Sequence, residues 1–415
     1  MKTTHGLLLA LGAAVLATAG DASAQRGRNN NSGSSSLPQV TCASGATGGG
    51  FAVAAQGALN RTLIPGLGAP QKQGFYQQAL DQATQGIAAD ANNPFNYFLA
   101  AQAAAGLNQP ARADSLFRKT VQLCPEFAGE VTPARARLGE QAMETARVAL
   151  VDRSDTTAAI AGWTLATQLD STNTDAAFYA GYFSLLKGDN ARAIPVFRRI
   201  LTMPPPAATD TNGVERRDVA VRAVLGWGGQ LFNQEQNAQA VEVLNSVRAV
   251  DPQNHDANYW TTLALYKLQR WNDLATVTAR VVELAPLNYN AFMLLHDAHK
   301  MTADALKAQG NAAQETQQRQ EAMRAQGTGE ALPVQVEQVT LAANGGTTTV
   351  RGVVVGGAAA AGTPIRLEFH LTTPSGEVGT ATVNVVAPAK DAKANFDLPV
   401  PVTAVPTGFH YRVVH

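Results

Sequence analysis

The chain of 415 residues carries 32 basic and 32 acidic side chains, a formal net charge of zero, and only two cysteines. No stretch has the surplus of Lys and Arg that a phosphate backbone demands, which argues against a nucleic-acid partner. The two cysteines lack a Cys-x-x-Cys spacing, and two are too few for a cysteine-rich metal or disulfide scaffold.

The chain opens MKTTHGLLLALGAAVLATAGDASAQ. Lys2 supplies a basic start, Gly6 to Gly20 is an apolar run of small residues, and Ala22-Ser23-Ala24 is a small-x-small cleavage site before Gln25. This is the layout of a secretory signal peptide over residues 1–24. The apolar run is shorter than the roughly 20 residues that cross a bilayer. No later run is long enough, so the mature chain is expected outside the cytoplasm without a membrane span. In an oxidising compartment Cys42 and Cys124 can form one disulfide; two independent thiols are the alternative.

Residues 25–70 open with QRGRNNNSGSSS and read as a flexible Ser/Asn/Gly-rich linker. Within it, GATGGGF has the glycines of a phosphate loop but no Lys-Ser/Thr after them, so it stays a linker.

From 71 to 326 Ala, Gln and Leu recur at helical spacing. Pro125, Pro205, Pro252 and Pro286 stand where helices should stop, because proline lacks the N–H and clashes with the preceding turn. Twelve residues before them are Ala113, Ala193, Ala240 and Leu274; eight before are Phe117, Phe197, Leu244 and Thr278; twenty-four before are Ala101, Gly181, Gly228 and Thr262. Mostly small residues at two fixed places let two antiparallel helices cross closely, and a bulky one beside them fills the remaining space. A further unit closes on Ser171, with Ala159 and Trp163 at the matching places. The units begin near Pro94, Glu140, Thr174, Val221, His255 and Tyr289, at spacings of 46, 34, 47, 34 and 34. The two long spacings should lengthen the first helix of the unit that follows. Thr132 before Pro133 reads as an N-cap with proline at the first helical position. Ahead of Pro94 only a second helix is evident, FYQQALDQATQGIAAD. After Tyr289, TADALKAQGNAAQETQQRQEAMRAQ reads as a long polar capping helix.

The segment 333–415 changes character. VQVEQVTL, TTTVRGVVV, TPIRLEFHL, VGTATVNVV, ANFDLPV and GFHYRVV alternate apolar and polar residues between Gly/Pro breaks, as six strands of a small β-sandwich do.

A 34-residue helix–turn–helix with these small and bulky positions resembles the tetratricopeptide repeat, and ANFDLPV with YRVV gives the last domain a likeness to FxLYD or Ig-like sandwiches. The resemblance implies a mainly α fold: a superhelical α-solenoid followed by an all-β sandwich, with a concave groove lined by first helices. Carried onto this chain, the groove positions are Phe95, Phe98, Gln102, Gln141, Glu144, Asp175, Phe178 and Tyr182. They continue as Arg222, Leu225, Phe232, Asp256, Tyr259, Leu263, Tyr266, Asn290, Met293 and Asp297. The Lys and Asn with which some family members clamp a terminal carboxylate are replaced by Phe98, Phe178, Leu225 and Tyr259. So aromatic a groove would take an apolar or amphipathic protein segment. Two other readings stand beside it: the aromatics are core, or the groove is filled by the chain's own N-terminal segment or sandwich.

HDAHK sets His296 and His299 three apart on a helix beside Asp297, a spacing that can hold a metal, although no third ligand is evident. There is no Gly-x-Ser-x-Gly or His-Glu-x-x-His and no evident nucleophile–base set, so neither catalysis nor a cofactor is expected. The expectation is a non-catalytic, exported, periplasmic scaffold for protein–protein contacts in a bacterial cell envelope. The rivals are a structural envelope component with a self-occupied groove, and a metal-binding or enzymatic protein built on His296 and His299.

Overall fold

The computed structural model describes residues 36–414; the signal peptide assigned to 1–24 and the first part of the linker lie outside the described residues. The chain divides into two compact units, Met1–Phe183 and Ser184–His415.

In the first unit, α1 (Gly50–Arg61) pairs with α2 (Ala69–Ala89), and α3 (Pro94–Gly106) with α4 (Pro110–Leu123). After a single 3-10 turn at Pro125–Phe127, α5 (Ala128–Val151) pairs with α6 (Thr156–Leu169), and α7 (Thr174–Leu186) begins in this unit and carries the chain into the second. Small residues set the crossings: Ala101 and Ala113 are fully buried, and Phe98 meets Phe117 and Phe127 at 5.8 and 5.2 Å between ring centres. Between α5 and α6 a Cβ on Gly162 would stand 2.8 Å from the Ala146 Cβ and 3.2 Å from the Ala142 carbonyl oxygen. Glycine is what lets these two backbones approach.

The linker reading of 25–70 needs correcting here. Ala52, Ala55, Ala58 and Leu59 form a buried stripe at helical spacing on α1, which supplies the first helix ahead of α2. Its Ala/Gly-rich composition gave too little hydrophobic contrast to announce it. Upstream, Leu37, Val40 and Ala46 pack on the same core, and Cys42 is joined to Cys124 by a disulfide with Cα atoms 5.5 Å apart. Pro133 also differs from expectation. It lies inside α5, which begins five residues earlier at Ala128. The long spacings do lengthen first helices: α5 has 24 residues.

Two devices repeat along the chain. Asn93, Asn173, Asn254 and Asn288 each cap a first helix, accepting from the backbone N–H of Phe95, Ala176, Ala257 and Ala291 at 2.9–3.1 Å. In the short turns that join consecutive helices, Asn108, Ser154, Gly188, Glu235, Gln269 and Gly310 take left-handed backbone, with φ from 54° to 77°.

The second unit contains α8 (Asn190–Thr202), α9 (Thr211–Asn233), α10 (Asn237–Val250), α11 (His255–Lys267), α12 (Trp271–Leu284), α13 (Tyr289–Ala308) and α14 (Ala312–Glu330). α9 is the second lengthened first helix, with 23 residues. α10 and α12 end two residues before Pro252 and Pro286, and their capping residues Asp251 and Ala285 are driven to extended φ values of −137° and −141°. Buried Arg217 on α9 donates to the carbonyls of Ile200, Leu201 and Met203 at 3.0–3.4 Å, closing the carbonyl end of α8. The expected single capping helix is two. Gly310 turns at φ +74°, Asn311 caps α14, and α14 folds back on α13, burying Ala322, Ala325 and Gly329. Gln-Gly-Asn is turn chemistry, and it outweighs the helical propensity on both sides.

All six expected strands form: β1 (Val334–Asn344), β2 (Thr347–Gly356), β3 (Pro364–Thr373), β4 (Gly376–Val386), β5 (Lys393–Pro401) and β6 (Gly408–Val414). They make two antiparallel sheets, ordered β1-β2-β5 and β4-β3-β6. Val350, Leu367, Phe369, Val400, Phe409 and Tyr411 fill the space between them. The same core takes in Ala285, Leu287 and Phe292 from the helices, and the Val336 N–H donates to the Leu287 carbonyl at 2.9 Å. Within this unit the sandwich is therefore packed on the helices.

Candidate partner-binding surfaces

The expected groove positions separate by unit. In the first unit, Phe95, Phe98, Phe178 and Tyr182 are 4, 2, 3 and 6 % exposed. Phe95 packs edge-on against Phe127 at 5.0 Å, and Phe178 stacks on Tyr182 at 5.6 Å. These four are core, a correction to the groove assignment. On α3 nearly every residue from Pro94 to Ala104 is buried, so aromatics placed there by helical spacing have no open side. Gln102 and Asp175 are half-buried; Gln141 and Glu144 are exposed, and the Arg147 guanidinium beside Glu144 holds its carboxyl below the ordinary range.

The second unit is different. Arg222 on α9 donates to the Val405 carbonyl at 3.1 Å, and the Asn254 amide donates to the Thr407 carbonyl at 2.9 Å. His255 packs on Phe409 at 4.6 Å and on Tyr259 at 5.7 Å, and its Nδ1 lies 3.0 Å from an Asp256 carboxylate oxygen. Met293 packs against the sandwich core. One end of the first-helix surface is thus covered by β6 and the segment leading into it. Burial there pushes the Asp218 carboxyl up to about 7, offset in part by Arg222, whose own pKa burial lowers. Burial also raises the Tyr259 phenol, with Glu337 adding to the effect.

The opposite end of the same helices is open. Phe232 and Trp260 pack at 5.4 Å, Tyr266 and Trp271 at 5.8 Å, and Tyr266 is 36 % exposed. Leu225, Phe232, Trp260 and Leu263 are half-buried. Of the remaining expected positions, Asn290 is exposed and Asp297 half-buried. Trp260, Trp271 and Asn254 went unread in the sequence. Asn254 had a usable signal in its recurrence with Asn93, Asn173 and Asn288.

His296 and His299 face α14: their Nδ1 atoms lie 3.1 Å from the Ala322 carbonyl and 2.7 Å from the Gln318 side-chain oxygen. Among the described residues, neither belongs to a cluster of three metal-ligating side chains; the one such grouping, Cys42, Cys124 and Glu126, contains the disulfide. No helix among the described residues is long and apolar enough to cross a membrane.

No protein-family model matches the chain, and no curated protein does. Solved structures do. MamA from Desulfovibrio magneticus RS-1 matches at 16 % identity over 47 % of this chain and 96 % of its own, with a TM-score of 0.22. YrrB, described as a TPR protein with an unusual peptide-binding site, matches at 14 % over 59 % of this chain and 92 % of its own, with a TM-score of 0.21. The TPR domain of P58(IPK) matches at 13 % over 62 % and 95 %, with a TM-score of 0.20. The tetratricopeptide-like character of the fold rests on this chain's own helix pairs, their recurring spacing and their repeated caps and turns.

Proposed function

We propose that this protein is an exported, non-catalytic scaffold of the bacterial cell envelope that holds an apolar or amphipathic segment of another envelope protein. The observation that carries the reading is the aromatic patch at the open end of α9 and α11, where Phe232, Trp260, Leu263 and Tyr266 are left partly exposed beside Trp271. Clustered aromatics of this kind are the usual anchors of protein interfaces. The secretion-type N-terminus and the Cys42–Cys124 pair support export.

A second reading is favoured by the Arg222–Val405 and Asn254–Thr407 bonds: the surface serves the chain's own sandwich and the protein is a structural envelope component. One experiment separates the two. A photoreactive residue replaces Tyr266 in protein expressed with its own leader, and the captured species are identified by mass spectrometry. A recurrent envelope protein captured from Tyr266 is expected. Crosslinks confined to residues 333–415 would sink the scaffold reading and leave the structural one.

A further inference from the structure

Four strands stand at the edges of the two sheets: β1, β5, β4 and β6. Open edges invite pairing with another chain, and folded proteins blunt them. Three of the four are blunted. β1 has a register shift between Glu337 and Thr340, with Gln338 at φ +53°, and its Val336 N–H is taken by Leu287. β5 carries Lys393, Pro399 and Pro401. β6 has seven residues and lies against α11 and α12.

β4 has none of these protections past its first residues. It runs for 11 residues without a proline, and from Val378 to Val386 it holds no charged side chain. Its pairing shows which backbone groups are in use. Ala381, Val383 and Val385 pair with Phe369, Leu367 and Ile365, and just beyond them Ala387 exchanges bonds with Thr363 and Gly362. The odd-numbered residues therefore turn their N–H and C=O toward β3. By strand alternation Thr380, Thr382, Asn384 and Val386 turn theirs outward. Among the described residues, these four make no backbone hydrogen bond outside the β3 ladder. The edge is closed at its start, where the Thr403 N–H donates to the Val378 carbonyl at 3.0 Å and the end of β5 brings the Pro401 carbonyl against Gly379.

We propose that two copies of this chain pair through β4, antiparallel, about a two-fold axis at Val383. The occupant follows from self-complementarity. That axis sets Thr380 opposite Val386 and Thr382 opposite Asn384, so every outward-facing residue meets another and exchanges two backbone bonds with it. An axis at Thr382 would instead set Val386 against Val378, whose carbonyl is already taken. The uncharged stretch places no like charges across the seam, and Val386, 57 % exposed, gains a cross-strand neighbour. The result is a sheet continuous from β6 of one copy to β6 of the other.

The test uses the full mature chain. Sedimentation velocity across the micromolar range should show a reversible dimer. Thr382→Pro removes an outward N–H that the fold does not use, and it should weaken association at least about tenfold with an unchanged melting temperature. Thr382→Lys, which charges the edge without touching the backbone, should do the same if the proline variant folds poorly. Thr382→Cys mixed with Asn384→Cys should crosslink more readily than either alone, because the native cysteines are paired with each other. A wild-type chain that stays monomeric overturns the proposal. So does a dimer that survives both Thr382 variants with native affinity, or an edge found paired with a strand from a different protein.

Discussion

The Arg222 guanidinium donates to the Val405 carbonyl across 3.1 Å, tying a first helix to the segment that leads into the last strand. The bond is charge-assisted and part-buried. Hydrogen bonds from charged groups contribute about 1.5–3 kcal/mol. Arg222→Ala should therefore destabilise the second unit by that amount in chemical denaturation. Hydrogen exchange should speed up at residues 402–408 while residues 36–183 are unaffected. Unchanged exchange at 402–408 would mean that the sandwich is held without this contact.

Asp218 gives a pH dependence with a defined sign. Burial lifts its carboxyl from 3.8 to about 7 in the folded chain. Between those values the folded state holds a proton that the unfolded state has released. Its stabilising contribution is thus full below about pH 3.8 and is lost as pH rises toward 7. The slope from this one group is at most about 1.4 kcal/mol per pH unit. Asp218→Asn mimics the protonated form and should flatten that slope, gaining on wild type at pH 8 relative to pH 5. Parallel urea-denaturation results for the two proteins at both pH values would assign the slope to other groups.

The periodic features of this fold were legible in the sequence because they are local. Proline stops, small crossing residues such as Ala101 and Ala113, and the period-two strands each act within a few residues. The breaks escaped for the same physical reason in reverse. α1 is an Ala/Gly helix whose face is defined only by what it packs on, and a single Gly310 divides what propensity alone would join. The groove assignment erred where a family position was taken as a surface position. Whether Phe98 or Tyr266 meets solvent depends on neighbouring elements far away in sequence, and only the assembled chain puts Phe98 at 2 % and Tyr266 at 36 %.

The helix turns make opposite predictions for two glycines in neighbouring places. Gly310 has φ +74°, where an L side chain is strained, so Gly310→Ala should destabilise by about 1 kcal/mol. Gly327 lies inside α14 with open space where a Cβ would stand. Gly327→Ala should stabilise by roughly 0.5–1 kcal/mol. Melting temperatures that move in the same direction for both would contradict the turn at 309–311.

Gly228 tests the crossing of α9 and α10. A Cβ built there runs into the side chain of Leu244, which is fully buried. Gly228→Leu should force α10 away or distort Leu244, at about 1–3 kcal/mol or more. Gly226, two residues earlier on the same helix, faces open space, and Gly226→Ala should be tolerated. A thermal melt of Gly228→Leu identical to wild type would refute the close crossing.

Cys42 and Cys124 are 82 residues apart in sequence, and their bond closes a loop containing α1, α2, α3 and α4. Beside that bond, Leu37, Val40 and Ala46 pack partly buried on the core, and the Asn93 amide donates to the Thr47 carbonyl at 3.0 Å. Removing a bond that closes so long a loop releases unfolded-chain entropy worth about 2–4 kcal/mol. The paired Cys42→Ser and Cys124→Ser chain should lose that much stability in denaturant. Its amide protection should drop first in residues 36–61, before the rest of the first unit. Reductant should shift the wild-type unfolding midpoint to that of the double variant and leave the double variant where it is. A wild-type midpoint indifferent to reductant would show that the bond does not constrain this loop.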